Sequence, residues 1–188
     1  MGLFDLFKPK QIISEKERVE KEALKSLACY CRENGDLNMA FYYDHKAIID
    51  LYERQITDQL VLARNVDDAG NAIQYLQSAL STFEAMKKYC ADQPGGAEFY
   101  EQHVLIGPDK LSRVERLKKQ IEDAKYIYYI VVPAILERSE QEGGAKQADL
   151  CREFDIGRER VLAEIRRLEL NGSIRTEKHG NYVYLFRR

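Results

Sequence analysis

The 188-residue chain has no tryptophan, four prolines, four cysteines and three histidines, and each scarcity removes a class of explanation. Four cysteines in a chain of this length do not make the disulfide framework of a small secreted domain. Cys29 and Cys31 are two apart on a predicted helix, so their side chains diverge and cannot clamp a metal together, while Cys90 and Cys151 are remote. All four are expected to be small, mostly buried thiols in a reducing cytoplasm. His45, His103 and His179 fall on a helix, a loop and a hairpin, none with a second His or Cys at metal-ligand spacing. Phosphate-cradling glycine motifs, a nucleophile elbow and a paired-carboxylate signature are also missing. The one local acid–imidazole cluster, Asp44-His45 beside Asp50, lies on a charged helix face. The expectation is a protein with no enzymatic activity, no cofactor and no metal.

Excess charge of either sign is lacking too. With 29 basic and 31 acidic side chains, no global field drives the chain onto nucleic acid or membrane, so such a role needs a local patch. Long apolar runs are absent: the most apolar stretch, 126–136, is too short to span a bilayer, and no signal peptide is recognisable. A cytoplasmic protein without membrane contact is expected. The opening MGLFDLFKPK is a short amphipathic piece ended by Pro9. Leu6 stands where a myristoylation motif needs Ser or Thr. Residues 1–13 are therefore read as a tail that docks its Leu and Phe side chains on the domain or on a partner.

What the chain does have is helical periodicity. Ser14-Glu-Lys-Glu17 is a capping box, after which Val19, Ala23, Leu27 and Cys31 mark one face until Asn34-Gly35. A second helix follows Asp36 or Asn38, with Phe41, Ile48, Tyr52, Ile56, Leu60 and Ala63 at helical steps. A third runs from about Asp68 to Tyr89 with Ile73, Leu76, Leu80 and Phe83 inward. Asp92 to Pro108, with Pro94-Gly95-Gly96, reads as a loop holding at most a short turn. Asp109 is expected to cap a fourth helix whose stripe continues from Leu111 through Leu117, Ile121, Tyr128, Val131 and Ile135, kinked at Pro133. Residues 14–125 thus form a helical bundle. Ala28, Gly35-Asp36, Ala40 and Ala47, echoed by Ala72 and Ala79, have tetratricopeptide-like spacing; small residues at helix crossings account for the same positions. Tyrosines 126, 128 and 129, with Tyr42, Tyr43 and Tyr89, read as packing in the bundle core, with a ligand pocket as the alternative.

Beyond residue 126 the pattern changes. Ile127–Ser139, Lys146–Phe154 and Gly157–Leu170 read as helices, followed by β-like runs at 173–177 and 182–186 joined around His179-Gly180-Asn181. Cys151 packs inside the second of these helices, Ile156 follows the turn, and Val161, Ile165 and Leu168 form the buried stripe of the third. Asn171-Gly172 and Ile174 lead into the hairpin. Over these sixty or so residues the chain resembles the winged helix-turn-helix family, and is most similar to bacterial repressors of the multiple-antibiotic-resistance-regulator type. It departs at Lys146, where a Ser or Thr cap is usual, at Asp155, where Gly is common, and at Gly157, where a hydroxyl would cap the recognition helix. The resemblance implies a mainly α protein: an N-terminal helical bundle, then a C-terminal winged helix with a small β-hairpin over residues 126–188.

The resemblance further implies binding of double-stranded DNA by a transcriptional regulator whose helical domain dimerises or senses. Glu159, Ala163 and Leu170 turn outward when Val161, Ile165 and Leu168 are buried, flanked by Arg160, Arg166 and Arg167. Those arginines suit phosphates or guanine edges, and Arg175, Lys178 and His179 on the wing suit the neighbouring backbone. From Gly157 to Arg188 there are eight basic and four acidic residues, a net of +4. The alternative is a helical scaffold or assembly protein whose winged helix grips another protein. Surface charge separates the two: a continuous basic stripe from Arg160 to Lys178 favours DNA, whereas a neutralised or apolar one favours protein.

Overall fold

The structure, a computed structural model, describes residues 14–66, 68–107 and 111–188. The expected tail, residues 1–13, and the expected Asp109 cap lie outside the described residues. The Ser14 hydroxyl accepts from the Glu17 N–H and the Glu17 carboxylate accepts from the Ser14 N–H at 2.8 Å, which opens α1 (Glu15–Glu33). Asp36 and Asp68 cap α2 (Leu37–Asn65) and α3 (Ala69–Ala91) by accepting from Met39 and Asn71 N–H groups. Phe41, Ile49 and Ile56 of α2 meet Leu76, Ala79, Phe83, Met86 and Cys90 of α3 in a first hydrophobic cluster.

Three expectations need correction here. On α1 the buried residue is Ala28, not the stripe Val19–Ala23–Leu27, which faces solvent. Apolar side chains cover about half of this helix, so period alone does not select the inward side. On α2 Ile49 is inward and Ile48 is 41 % exposed, because the arc set by Phe41, Tyr52, Ile56 and Leu60 is centred nearer position 49 than position 48. Residues 92–108 are not mainly loop. Gly95, at φ 77°, passes so close to the Leu37 carbonyl that a Cβ would lie 2.2 Å from its oxygen. After that corner comes α4 (Gly96–Phe99), extended by a π-helical turn (Tyr100–Leu105), burying Phe99, Tyr100 and Val104 in the first cluster.

The next helix, α5 (Arg113–Tyr126), is capped by Ser112, whose hydroxyl accepts from the Glu115 N–H. Its first residue anchors it to the bundle. Arg113 forks onto both Glu53 carboxylate oxygens at 2.8 Å, donates to the Val104 carbonyl and lies 4.9 Å from the Phe83 ring centre. The helix then passes through a π-helical turn (Ile127–Val131) into α6 (Val132–Ser139). The Val132 N–H donates to the Ile127 carbonyl, five residues back. Widening the turn just before Pro133 makes room for its ring, so the proline is absorbed by a π-bulge. The wider turn also shifts the stripe: Tyr126, Tyr128, Tyr129 and Ile130 are outward, 37 %, 38 %, 64 % and 50 % exposed, and do not pack in the core.

Leu117 and Ile121 of this helix belong to the first cluster, and Val131 and Ile135 to a second. The second cluster is completed by β1 (Ala145–Lys146), α7 (Gln147–Glu153), α8 (Arg158–Leu170), β2 (Ile174–His179) and β3 (Tyr182–Arg187). The strands form one antiparallel sheet in the order β1-β3-β2, with Arg175 opposite Phe186 and His179 opposite Tyr182. β1 is two residues long, too short to leave a periodic signal. The molecule is mainly helical with a small carboxy-terminal sheet.

Two outcomes follow. Ile165→Asp places an unpaired carboxylate among Val161, Leu168 and Ile174, costing at least about 3 kcal/mol. Limited proteolysis of that variant should digest the second cluster while sparing the first; equal resistance to wild type would contradict a separate core. Hydrogen exchange should show protection along 117–136 with its minimum inside Ile127–Val131, where the π-turn carries the weaker bonds. A minimum at Pro133 with uniform protection before it would contradict the bulge.

Candidate interaction face

Helix α8 starts without a side-chain cap: Gly157, at φ 82°, supplies only its carbonyl to Arg160 and Val161. It ends in a Schellman motif, with Ser173 N–H donating to Leu168 O and Gly172 N–H to Glu169 O, Gly172 at φ 78°. Between these ends Val161, Ile165 and Leu168 are at most 3 % exposed. The opposite side carries Glu159, Ala163, Arg166 and Leu170, all exposed, with Leu170 at 88 %. This outward row is one acid, one methyl, one base and one bare leucine.

The cations expected to flank the row are mostly engaged by the protein itself. Arg160 Nη1 donates to Asp123 Oδ2 of α5 at 2.6 Å. Arg167 Nε donates to Glu164 Oε2 at 2.8 Å, both side chains being largely covered. Glu164 and Arg167 close one end of a cleft of about 200 Å³ lined by Ala63, Val66, Ala69, Ala72, Ala124 and Ile127. One flank of α8 therefore faces the helical bundle at a right angle to the outward row.

The expected contacts on the β2–β3 hairpin do not share one surface. A strand alternates sides, so Arg175, Glu177 and His179 lie on one face and Ile174, Thr176 and Lys178 on the other. Ile174 is fully buried and Thr176 bonds Glu169 of α8, which makes theirs the face towards α8. Arg175 and His179 thus point away from α8. Glu177 accepts from Arg175 at 2.7 Å and lies 3.3 Å from His179, while Arg175 and His179 pack on Phe186 and Tyr184. Of the expected cationic contacts, Arg166 and Lys178 are left exposed without an ion pair among the described residues. Asp123, 37 residues from its partner, leaves no local sequence signal, whereas the alternation Arg175-Glu177-His179 does.

The acid–imidazole cluster of α2 is taken apart by the fold. Asp44 pairs with Arg32, Asp50 with Lys46, and His45 bonds the Tyr89 hydroxyl at 2.6 Å while stacking on Phe41. Burial, and then Arg32, hold the His45 imidazole below its ordinary pKa. Of the cysteines only Cys90 is buried, its thiol pushed up to about 11 by desolvation; Cys29 is exposed. Among the described residues no group of three or more His, Cys, Asp or Glu side chains is placed to hold a metal, and no helix is long and apolar enough to cross a membrane.

Removing Asp123 should release Arg160 at little cost, because the pair is exposed: Asp123→Ala should lose less than about 1 kcal/mol. Glu53→Ala should lose roughly 2–3 kcal/mol, since it strips the fork from the half-buried Arg113. Urea unfolding of the two variants would test this ranking, and the reverse order would contradict it. The chain matches no family model, no curated protein and no solved structure.

Proposed function

We propose that residues 126–188 form a winged helix that works as a protein-contact module at the end of a helical scaffold. The order helix, short strand, two helices and hairpin, with β1 pairing the far hairpin strand, supports the winged-helix reading. The observation that carries the protein-contact reading is the outward row of α8. The core of an interface is more apolar than the rest of a protein surface, and Leu170, 88 % exposed at the end of the row that carries Ala163, offers an apolar anchor there. A DNA-reading helix needs its outward face and both flanks free for the groove walls. Here one flank faces the bundle, Arg160 and Arg167 are engaged, and Arg175 and His179 are on the wrong side of the wing. Glu159 would also oppose phosphate.

A second reading, DNA binding, draws on Arg166 and Lys178, which are exposed, and on the net +4 of residues 157–188. One titration separates the two. With a random-sequence duplex at about 50 mM salt, the protein-contact reading predicts no saturable binding. A photocrosslinking residue at position 170 should capture one discrete protein in the native cell extract, while the same residue at Gly180 should not. Saturable DNA binding whose log–log salt slope falls by about one unit in each of Arg166→Ala and Lys178→Ala would establish the DNA reading instead.

A further inference from the structure

One side of α5 brings Arg113, Arg116, Leu117 and Gln120 together, at the three- and four-residue steps that share a helix face. With Leu60 and Arg64, one turn apart on α2, and Phe83 of α3, they line a cavity of about 230 Å³. Phe83 and Leu117 are buried and close its floor, while Arg64, Arg116 and Gln120 are exposed at its rim. Arg113 joins the two levels, because its guanidinium is held by Glu53 and covers the Phe83 ring.

The charge of this cavity sets it apart. Other clefts mix both signs: Glu17, Glu20 and Asp44 line the groove between α1 and α2 together with Lys21, Lys25 and Lys46. Beside Tyr100, Glu84 and Glu115 accompany Lys87 and Lys118, and Glu164 accompanies Arg167 in the cleft next to α8. Around Phe83, three guanidiniums line one small space, and no carboxylate lines it among the described residues. In a chain of net charge −2 this is a local reversal of sign, and it suits an anion.

The donors and the floor narrow the class of anion. A guanidinium has five N–H donors in a planar fork, so one that already bonds a carboxylate keeps donors for another partner. A carboxylate satisfies a single fork with its two oxygens. A phosphate monoester offers three acceptor oxygens and a charge of about −1.5 to −2, so it takes donors from several guanidiniums at once. Leu60, Phe83 and Leu117 give a phosphate nothing to bond, and they suit an apolar group attached to it. The volume is below the roughly 300 Å³ at which pockets for drug-sized ligands begin, which limits that group to about one ring. We infer that this cavity binds a small organic phosphate. Arg64, Arg113 and Arg116 hold the phosphate together with the Gln120 amide, and the apolar group rests on Leu60, Phe83 and Leu117.

The test uses the full chain and phenyl phosphate as the probe, with ionic strength held constant by sodium chloride. Calorimetry should give one saturable site, at least about tenfold tighter than for inorganic phosphate, which lacks the apolar part. Phenol, which lacks the charge, should not bind. Arg64→Gln and Arg116→Gln should each weaken binding about tenfold, because each removes charge-assisted hydrogen bonds. Lys119→Gln, on α5 but outside the cavity, should change it less than about twofold. Both arginines are exposed, so the variants should keep the helicity of wild type. Without any variant, the Gln120 side-chain amide should shift in nuclear magnetic resonance spectra as phenyl phosphate is added. No saturable binding up to about 10 mM would overturn this assignment. So would an equal loss in Lys119→Gln, which would mean that binding follows net charge, or inorganic phosphate binding as tightly, which would leave the apolar floor without a part.

Discussion

One helix holds both halves of the molecule. From Arg113 to Ser139 the backbone stays helical, and its inward side chains supply Leu117 and Ile121 to one hydrophobic cluster and Val131 and Ile135 to the other. No glycine or serine interrupts this stretch before Ser139. The two clusters therefore have a rigid connection and not a tether. At its amino end the helix is fixed by the fork of Arg113 on Glu53, whose bond also raises the guanidinium pKa. In its middle the π-turn accommodates Pro133 and sets the rotation of everything that follows.

That rotation decides what α8 can do. Because α6 enters the second cluster at a fixed angle, α8 lies with its Arg160–Glu164–Arg167 flank beside α5 and the small side chains at the α2–α3 junction. Of the cations expected to neutralise DNA phosphates, Arg160, Arg167 and Arg175 are instead answered by Asp123, Glu164 and Glu177, which leaves Arg166 and Lys178. Each exposed pair is weak by itself, and it is their placement more than their ion-pair energy that takes these cations off the outward face. What remains free on the outward row is a mixed surface with one large apolar side chain at its end.

Much of the fold is legible in the sequence because its signals are local. Ser14-x-x-Glu17, Asp36, Asp68 and Asn171-Gly172 each act within a few residues, and the stripes Ile73–Leu76–Phe83 and Val161–Ile165–Leu168 repeat at the helical period. The inward side of α1 is not legible, because Val19, Ala23, Leu24, Leu27 and Ala28 offer more than one apolar face and only the presence of α2 selects among them. Residues 96–105 hide their helix behind Pro94-Gly95-Gly96, a strong turn signal that marks only the corner. At the candidate face the outward row on α8 is legible, but its electrostatics are not. Asp123 reaches Arg160 only once the two clusters are set side by side, and strand β2 divides Arg175 from Lys178 by its alternation.

The shared helix fixes α8 against the bundle. Spin labels at Ser78 on α3 and Ala163 on α8, both exposed, report that distance directly when the labelled chain is diluted into unlabelled protein. The account predicts one narrow distance distribution, unchanged when excess duplex DNA is added. A broad or two-peaked distribution, or one that shifts on adding DNA, would mean that α8 swings free of the bundle and would contradict it.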